Sequence, residues 1–285
     1  MTFSRTTWRL VNTPPASGAW NMAVDEAILE AAGRGDVPPT LRLYAWAPAC
    51  LSLGYAQPVL DVDRAALQGL GWELVRRPTG GRAILHTDEL TYSVCGPHGE
   101  PRLAGDVLQS YRVLAGALLR ALHLVGIPAQ VQTLPEGRAD SANLPGQVEA
   151  KSQNPVCFEV PSNYEITYAG KKIIGSAQAR RKEGVLQHGS LPLCGDLRRI
   201  VQVLTFPNPA ARVKAGERLS ERATTAEEIL GEPLSWEKAA KSFIVAFSEM
   251  LNLELCSDAL TAHELVRAEG LIGEKYANKG WIDRI

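Results

Sequence analysis

Apolar residues change their spacing along this chain, and each change marks an element. Trp8 to Asn12 alternates apolar and polar positions, the period-two signature of a strand. After a break at Ser17-Gly18, the pattern from Ala19 to Ala32 predicts a helix with Met22, Ala23, Ala27 and Ile28 on one face and Asp25 and Glu26 elsewhere. Pro38-Pro39 ends that unit. Leu41 to Ala45 and Cys50 to Gly54 read as two strands meeting at a Pro48 turn, and Asp63 to Gln68 as a short helix. Trp72 to Arg76, Ala83 to His86 and Leu90 to Cys95 are strand-like, with a turn at Pro78-Thr-Gly-Gly81. Val107, Tyr111, Leu114, Leu118 and Leu122 recur at three and four, predicting an amphipathic helix from Asp106 to Leu124 that Gly126 stops.

From Pro135 to Asn154 periodicity gives way to charges, Gly, Pro, Ser and Asn, so a long surface loop is expected, leading into Cys157. Tyr164 to Tyr168, Lys172 to Ala179 and Val185 to Pro192, joined by turns at Ala169-Gly170 and Arg180 to Gly184, predict an antiparallel meander. A Pro-rich connection over Phe206 to Ala211 precedes candidate helices at Thr225 to Leu230, Trp236 to Leu251 and Thr261 to Tyr276. Strands and helices are intermixed and the later strands are joined by tight turns. The expected fold is therefore α+β (α/β mixed), with a mixed, largely antiparallel sheet flanked by helices.

The 285 residues, 45% hydrophobic and 21% charged, suffice for one generous domain or two small ones. A net charge of −1 and a pI near 6.5 give no whole-molecule attraction to nucleic acid or anionic lipid, so neither nucleic acid nor membrane is an expected partner. The first residues lack the apolar core of a cleaved signal, and a cytoplasmic protein is expected. Cys50, Cys95, Cys157, Cys194 and Cys256 lie far apart with no C-x-x-C pair, which fits free thiols. No histidine pair has metal-ligand spacing, so no metal is expected.

Candidate chemistry centres on a thiol. Cys157, at the exit of a polar loop, reads as the most accessible of the five cysteines and the best nucleophile, whereas Cys50 and Cys95 fall inside strand patterns. Taken alone it reads as a structural residue, since buried free cysteines are common and mostly inert. A free thiol is only a few per cent ionised at neutral pH, so a catalytic one needs a nearby cation. Lys172 is the candidate cation; as one of the Lys171-Lys172 pair it also reads as a solvated charge, although alternation lets one of the two point inward. The glycines of Arg76-Arg-Pro-Thr-Gly-Gly-Arg82 allow close backbone approach to a ligand, or a plain turn. His86 and His188, in or beside strands, read first as structural hydrogen-bonding groups.

Taken together, Asn21-Met-Ala-Val-Asp-Glu26, Leu51-Ser-Leu-Gly-Tyr55, Arg76 to Arg82 with His86, Glu89-Leu-Thr-Tyr-Ser93, Cys157-Phe-Glu, Gly175-Ser-Ala-Gln178 and Leu186-Gln-His-Gly-Ser190 carry a resemblance. The chain resembles the lipoate and biotin protein ligase superfamily, and within it the cysteine-dependent transferases that move octanoyl from acyl carrier protein to protein. The resemblance implies a ligase-like catalytic domain over 1–250 and a short C-terminal helical extension over 251–285 packed on it, a single domain overall. It implies that Cys157 carries an acyl thioester and that Lys172 lowers its pKa. It implies a substrate site lined by Arg77, Thr79, Gly80, Gly81, His86, Gly175, Ser176, Ala177, His188 and Gly189.

The implied partners are octanoyl-acyl carrier protein as donor and a lipoyl-acceptor domain, such as glycine cleavage H protein, as acceptor. The implied enzyme is a monomer that needs no cofactor. Gly80-Gly81-Arg82 stands where ATP-dependent lipoate ligases carry three glycines, and the tail from Glu264 to Trp281 is similar to the transferase ending. These features, with the thiol at 157, favour a transferase. An ATP-dependent lipoate ligase, or an amidotransferase moving octanoyl between lipoyl domains, is the alternative.

Overall fold

The computed structural model describes residues 3–133 and 164–285. In chain order its elements are β1 (Thr6–Asn12), α1 (Gly18–Arg34), β2 (Thr40–Tyr44), β3 (Cys50–Leu53), α2 (Arg64–Gly69), β4 (Glu73–Arg76), β5 (Ile84–His86), β6 (Glu89–Gly96), α3 (Val107–Leu124), β7 (Gln130–Thr133), β8 (Tyr164–Tyr168), β9 (Lys171–Arg181), β10 (Gly184–Pro192), α4 (Pro209–Arg222), α5 (Ala226–Leu230), α6 (Trp236–Leu251), β11 (Leu253–Ser257), α7 (Ala262–Leu271) and α8 (Lys279–Ile282). Eight strands form one sheet in the order β11-β1-β2-β6-β10-β9-β8-β7, and β4-β3-β5 form a second. The mixed sheet and flanking helices match the expected α+β class. Its antiparallel part runs from β2 through to β7, whereas β1 is parallel to both β2 and β11.

Period-two alternation decides what each face of the large sheet meets. Leu41 and Leu43 of β2, Leu90, Tyr92 and Val94 of β6, and Val185 and Leu191 of β10 belong to one buried apolar cluster with α3 and α6, including Leu114, Leu118, Phe243 and Phe247. On the opposite face lies α1, whose Met22, Ala23, Ala27 and Ile28 pack with Tyr44, Trp46, Cys50 and Val75. Gly18 permits this closeness, since a Cβ there would lie 2.3 Å from Cys50 Sγ. A third cluster joins β3 to α2, α4 and the 3-10 turn Leu197–Val203 through Leu51, Leu53, Leu67, Ile200 and Leu219. No helix among the described residues is long and apolar enough to cross a membrane.

Several elements depart from the sequence expectation. The two strands expected on either side of the Pro48 turn are both present, but they do not share a sheet: β2 enters the large one and β3 the small one. The Pro-rich connection over Phe206 to Ala211 holds a helix start, because Asn208 caps α4 through Ala211 N and Pro209 takes the first turn, where no amide hydrogen is needed. The tail expected to be helical from residue 251 begins as β11, an edge strand of the large sheet that carries Cys256. The expected helix Thr261 to Tyr276 becomes α7 followed by a five-residue π turn, Ile272–Tyr276. The expected loop 135–154 and Cys157 lie outside the described residues.

Candidate active site

A cleft of about 440 Å³ opens between the glycine turn after β4 and the paired strands β9 and β10. Arg77, Gly80, Gly81, His86, Gly175, Ser176, Ala177, His188 and Gly189 line it, nine of the twelve site residues expected from sequence. Thr79 stands behind this lining, with its Oγ1 2.7 Å from His188 Nε2. Met22, Tyr44, Trp46, Ser52, Ile84, Thr91 and Ser190, none of them a site residue expected from sequence, complete the wall. The cleft thus pairs apolar and aromatic surface with a few convergent polar groups, the ordinary make-up of a small-ligand site.

Backbone proximity shapes the cleft. A Cβ on Gly54 would lie 1.9 Å from Gly81 O, and one on Gly189 would lie 2.5 Å from both Gly175 O and Ser176 Oγ. Both positions therefore require glycine. Gly81 has φ +93°, in the left-handed region. The buried Arg77 guanidinium fastens the turn, donating to Gly80 O at 2.8 Å, Arg82 O at 2.7 Å and Ser52 O at 3.0 Å. Arg76 points the other way and ties β4 to Gly54 O, Gln57 O and the tail carbonyl of Ile282. Trp281 Nε1 returns a bond to Arg76 O at 2.8 Å. The C-terminal segment thereby braces the turn from outside.

Two acid–histidine–hydroxyl chains each place a histidine at the cleft. In the first, Asp25 and Arg42 are both 0% exposed and pair at 2.7 Å, and Asp25 also accepts from Tyr44 OH and Ser93 Oγ. Burial pushes the Asp25 pKa up, but Arg42, His188 and Ser93 outweigh it and hold the carboxyl below its usual range. Since an ionised carboxylate only accepts, His188 Nδ1, 3.5 Å from Asp25 Oδ2, carries the ring proton. Burial lowers the His188 pKa, so the ring stays neutral and Nε2 accepts from Thr79. Asp25 is thus no outlying residue of α1 but the centre of its contact with the sheet.

The second chain runs Glu89–His86–Ser52. Glu89 Oε1 accepts from His86 Nδ1 at 2.7 Å, Ser190 Oγ at 2.7 Å and Thr91 Oγ1. Burial would raise the Glu89 pKa, yet His86, Thr91 and Ser190 together hold it low. His86 Nε2 faces Ser52 Oγ at 2.8 Å, and the ring stacks on Trp46 with centroids 3.9 Å apart. Trp46 Nε1 donates to Thr91 Oγ1, closing the network. Both histidines are therefore oriented by buried carboxylates. Among the described residues no group of three His, Cys, Asp or Glu is placed to hold a metal.

A sequence signal for the missed residues existed. Glu89, Thr91 and Ser93 alternate with Leu90, Tyr92 and Val94, a pattern that ordinarily puts the polar face in water. Here every residue of β6 is buried. A buried polar strand face must find partners, and it finds them in the two histidine chains.

Of the expected catalytic pair, Cys157 lies outside the described residues. Lys172 sits on β9, is 7% exposed, and its Nζ lies 3.0 Å from Glu165 Oε1. It does not line the cleft but precedes Gly175 by three positions on the same strand. Among the described thiols, burial pushes Cys50 and Cys95 well up, and burial with Asp88 and Glu227 also raises Cys194. Cys256 is exposed, at the sheet edge remote from β9 and β10.

The sequence profile of the lipoyl protein ligase A/B catalytic domain matches residues 17–248. The chain is 42% identical to octanoyltransferase LipM of Kyrpidia tusciae, over 96% of this chain and 98% of the relative. It is 41% identical to octanoyltransferase LipM of Symbiobacterium thermophilum, over 97% and 98%. Its fold superposes with TM-score 0.78 and 25% identity on a bi-partite lipoate protein ligase from Thermoplasma acidophilum, over 97% of this chain and 96% of that one. The chain belongs to the lipoyl protein ligase A/B catalytic-domain family, on its octanoyltransferase branch.

Proposed function

We propose that this acyltransferase takes octanoyl from an octanoyl-acyl carrier protein onto Cys157 and passes it to a lysine of a lipoyl-acceptor domain. The Cys157 thiolate attacks the donor carbonyl, a new thioester forms, and the carrier thiol leaves. A neutral lysine amine then attacks that thioester, an amide forms, and the amine's proton ends on the released Cys157 thiol. Neither step needs ATP. Lys172 is the cation assigned to favour the thiolate, and an ammonium a few ångströms away is enough to lower a thiol pKa from about 8.5 to about 7.

The observation that carries this reading is the cleft itself, with Met22, Tyr44, Trp46 and Ile84 as apolar wall and two histidine–hydroxyl chains as its polar groups. An octanoyl tail of about seven methylene-sized units gains on the order of 5 kcal/mol from such burial, enough to orient its carbonyl. The raised pKa values of Cys50, Cys95 and Cys194 and the remote edge position of Cys256 favour Cys157 as nucleophile. The structural neighbour from Thermoplasma acidophilum is described with its E2 lipoyl domain, which supports a lipoyl domain as acceptor.

Intact-mass analysis after mixing the protein with octanoyl-acyl carrier protein tests the reading. One added octanoyl group is expected without ATP, and none in Cys157→Ala. An adduct that requires ATP, or that survives Cys157→Ala, overturns it in favour of a ligase or of another acyl site.

A further inference from the structure

The outer side of the glycine turn carries a cationic cluster that the acyl chemistry above does not use. Tyr55 N donates to Thr79 O at 2.8 Å, so the tyrosine is seated on the back of the turn. Two guanidinium groups converge on its ring. Arg181 lies 5.1 Å from the ring centroid and donates to Pro78 O at 2.8 Å. Arg284 lies 4.0 Å from the same centroid and donates to Tyr55 OH at 2.9 Å. Trp281 stands edge-on to Tyr55 at 5.8 Å and also receives Arg284, at 4.8 Å. Arg181, Lys182 and Arg284 are exposed.

No described carboxylate lies within 4.0 Å of Arg181 or Arg284. Two carboxylates of the neighbouring elements are committed elsewhere: Asp283 pairs with Arg64, and Glu26 with Lys275 at 2.6 Å and with Tyr276. Like charges held together cost free energy, which aromatic faces offset only in part. An anion bridging the two forks removes that cost, and arginine forks match phosphate geometry in particular. Arg284 is moreover felt at the buried Arg76, whose pKa is lowered by burial and then by that charge. The cluster therefore forms a fixed positive rim on the turn whose inner side lines the cleft.

We propose that Tyr55, Arg181 and Arg284 form a docking site for the phosphodiester that joins the acyl arm of the donor to its carrier protein. This rests on the proposed function and names the feature by which that site holds its donor. The donor fits better than the acceptor on charge alone. An acyl arm built on phosphopantetheine brings an obligate anion, whereas the acceptor brings a lysine ammonium that a positive rim repels.

The test compares the rate of Cys157 acylation from octanoyl-acyl carrier protein, octanoyl-4′-phosphopantetheine and uncharged octanoyl-pantetheine. Charge-assisted contacts of this kind correspond to about ten-fold or more in kcat/KM. The wild type is expected to prefer octanoyl-phosphopantetheine over octanoyl-pantetheine by that factor. Arg181→Ala/Arg284→Ala should erase the preference and slow the carrier-protein reaction, leaving the uncharged donor unchanged. Arg284→Ala, which keeps the Arg181–Pro78 bond and so the turn, should give a partial loss in the same direction. Equal losses with all three donors would mean a distorted turn and overturn the proposal. So would a wild type indifferent to the phosphate, or a defect confined to transfer onto the acceptor. A wild type acylated by no donor would instead refute the proposed function, and the docking site with it.

Discussion

Replacing Asp25 with alanine is expected to lower folding stability by about 3–5 kcal/mol, because it strands the Arg42 guanidinium as an unpaired buried charge. The loss should exceed that of any rim substitution, since Tyr44, Ser93 and His188 lose a partner at the same time. The pH dependence has a definite sign. Asp25 and Glu89 are held below their usual pKa in the fold, so their contribution is complete above the ordinary carboxylate range near pH 4. It is lost as pH falls through the lower folded values. His188, kept neutral by burial, acts in the same direction, beginning below about pH 6.5. Urea unfolding from pH 7 to pH 3 checks this: stability should fall with acid, and Asp25→Asn should flatten the fall. A change below about 1 kcal/mol for Asp25→Ala at neutral pH would contradict the burial argument, since that is the range of an exposed pair.

Filling the cleft should separate chain length from chemistry. Ala177 lines the cleft beside His188 on the neighbouring strand, and Ala177→Trp places a large ring in the space assigned to the acyl tail. Octanoyl exceeds acetyl by six methylenes, about 5 kcal/mol of burial, or on the order of a thousand-fold in kcat/KM. The wild type is expected to prefer an octanoyl donor over an acetyl donor by that order, and Ala177→Trp to collapse the preference while acetyl transfer persists. A variant that still takes octanoyl at the wild-type rate would move the acyl tail elsewhere.

Much of this site was legible in the chain because its residues cluster in short runs: the turn Arg77 to Gly81, the strand Gly175 to Ala177 and the pair His188-Gly189 each supply neighbouring wall positions. Their mutual placement was less legible. β10 joins β6 on one side and β9 on the other, and only that pairing brings His188 level with Ser93 and Ala177. Asp25 was missed because a helix buried on nearly all sides offers no polar face to read, and its partner Arg42 lies on another element. β11 was missed because its partner β1 lies at the opposite end of the chain, beyond the reach of local periodicity. α4 was missed because its buried anchors are few, Ala215, Gly216 and Leu219, and its proline was read as a breaker instead of a first-turn residue.

The most direct test of the account is a crystal structure of the protein after reaction with octanoyl-acyl carrier protein. Density for an eight-carbon chain joined to Cys157 Sγ and running between Trp46, Ile84 and Ala177, with Lys172 Nζ near the sulfur, is the predicted result. A chain bound to another residue, or lying outside that cleft, would contradict it.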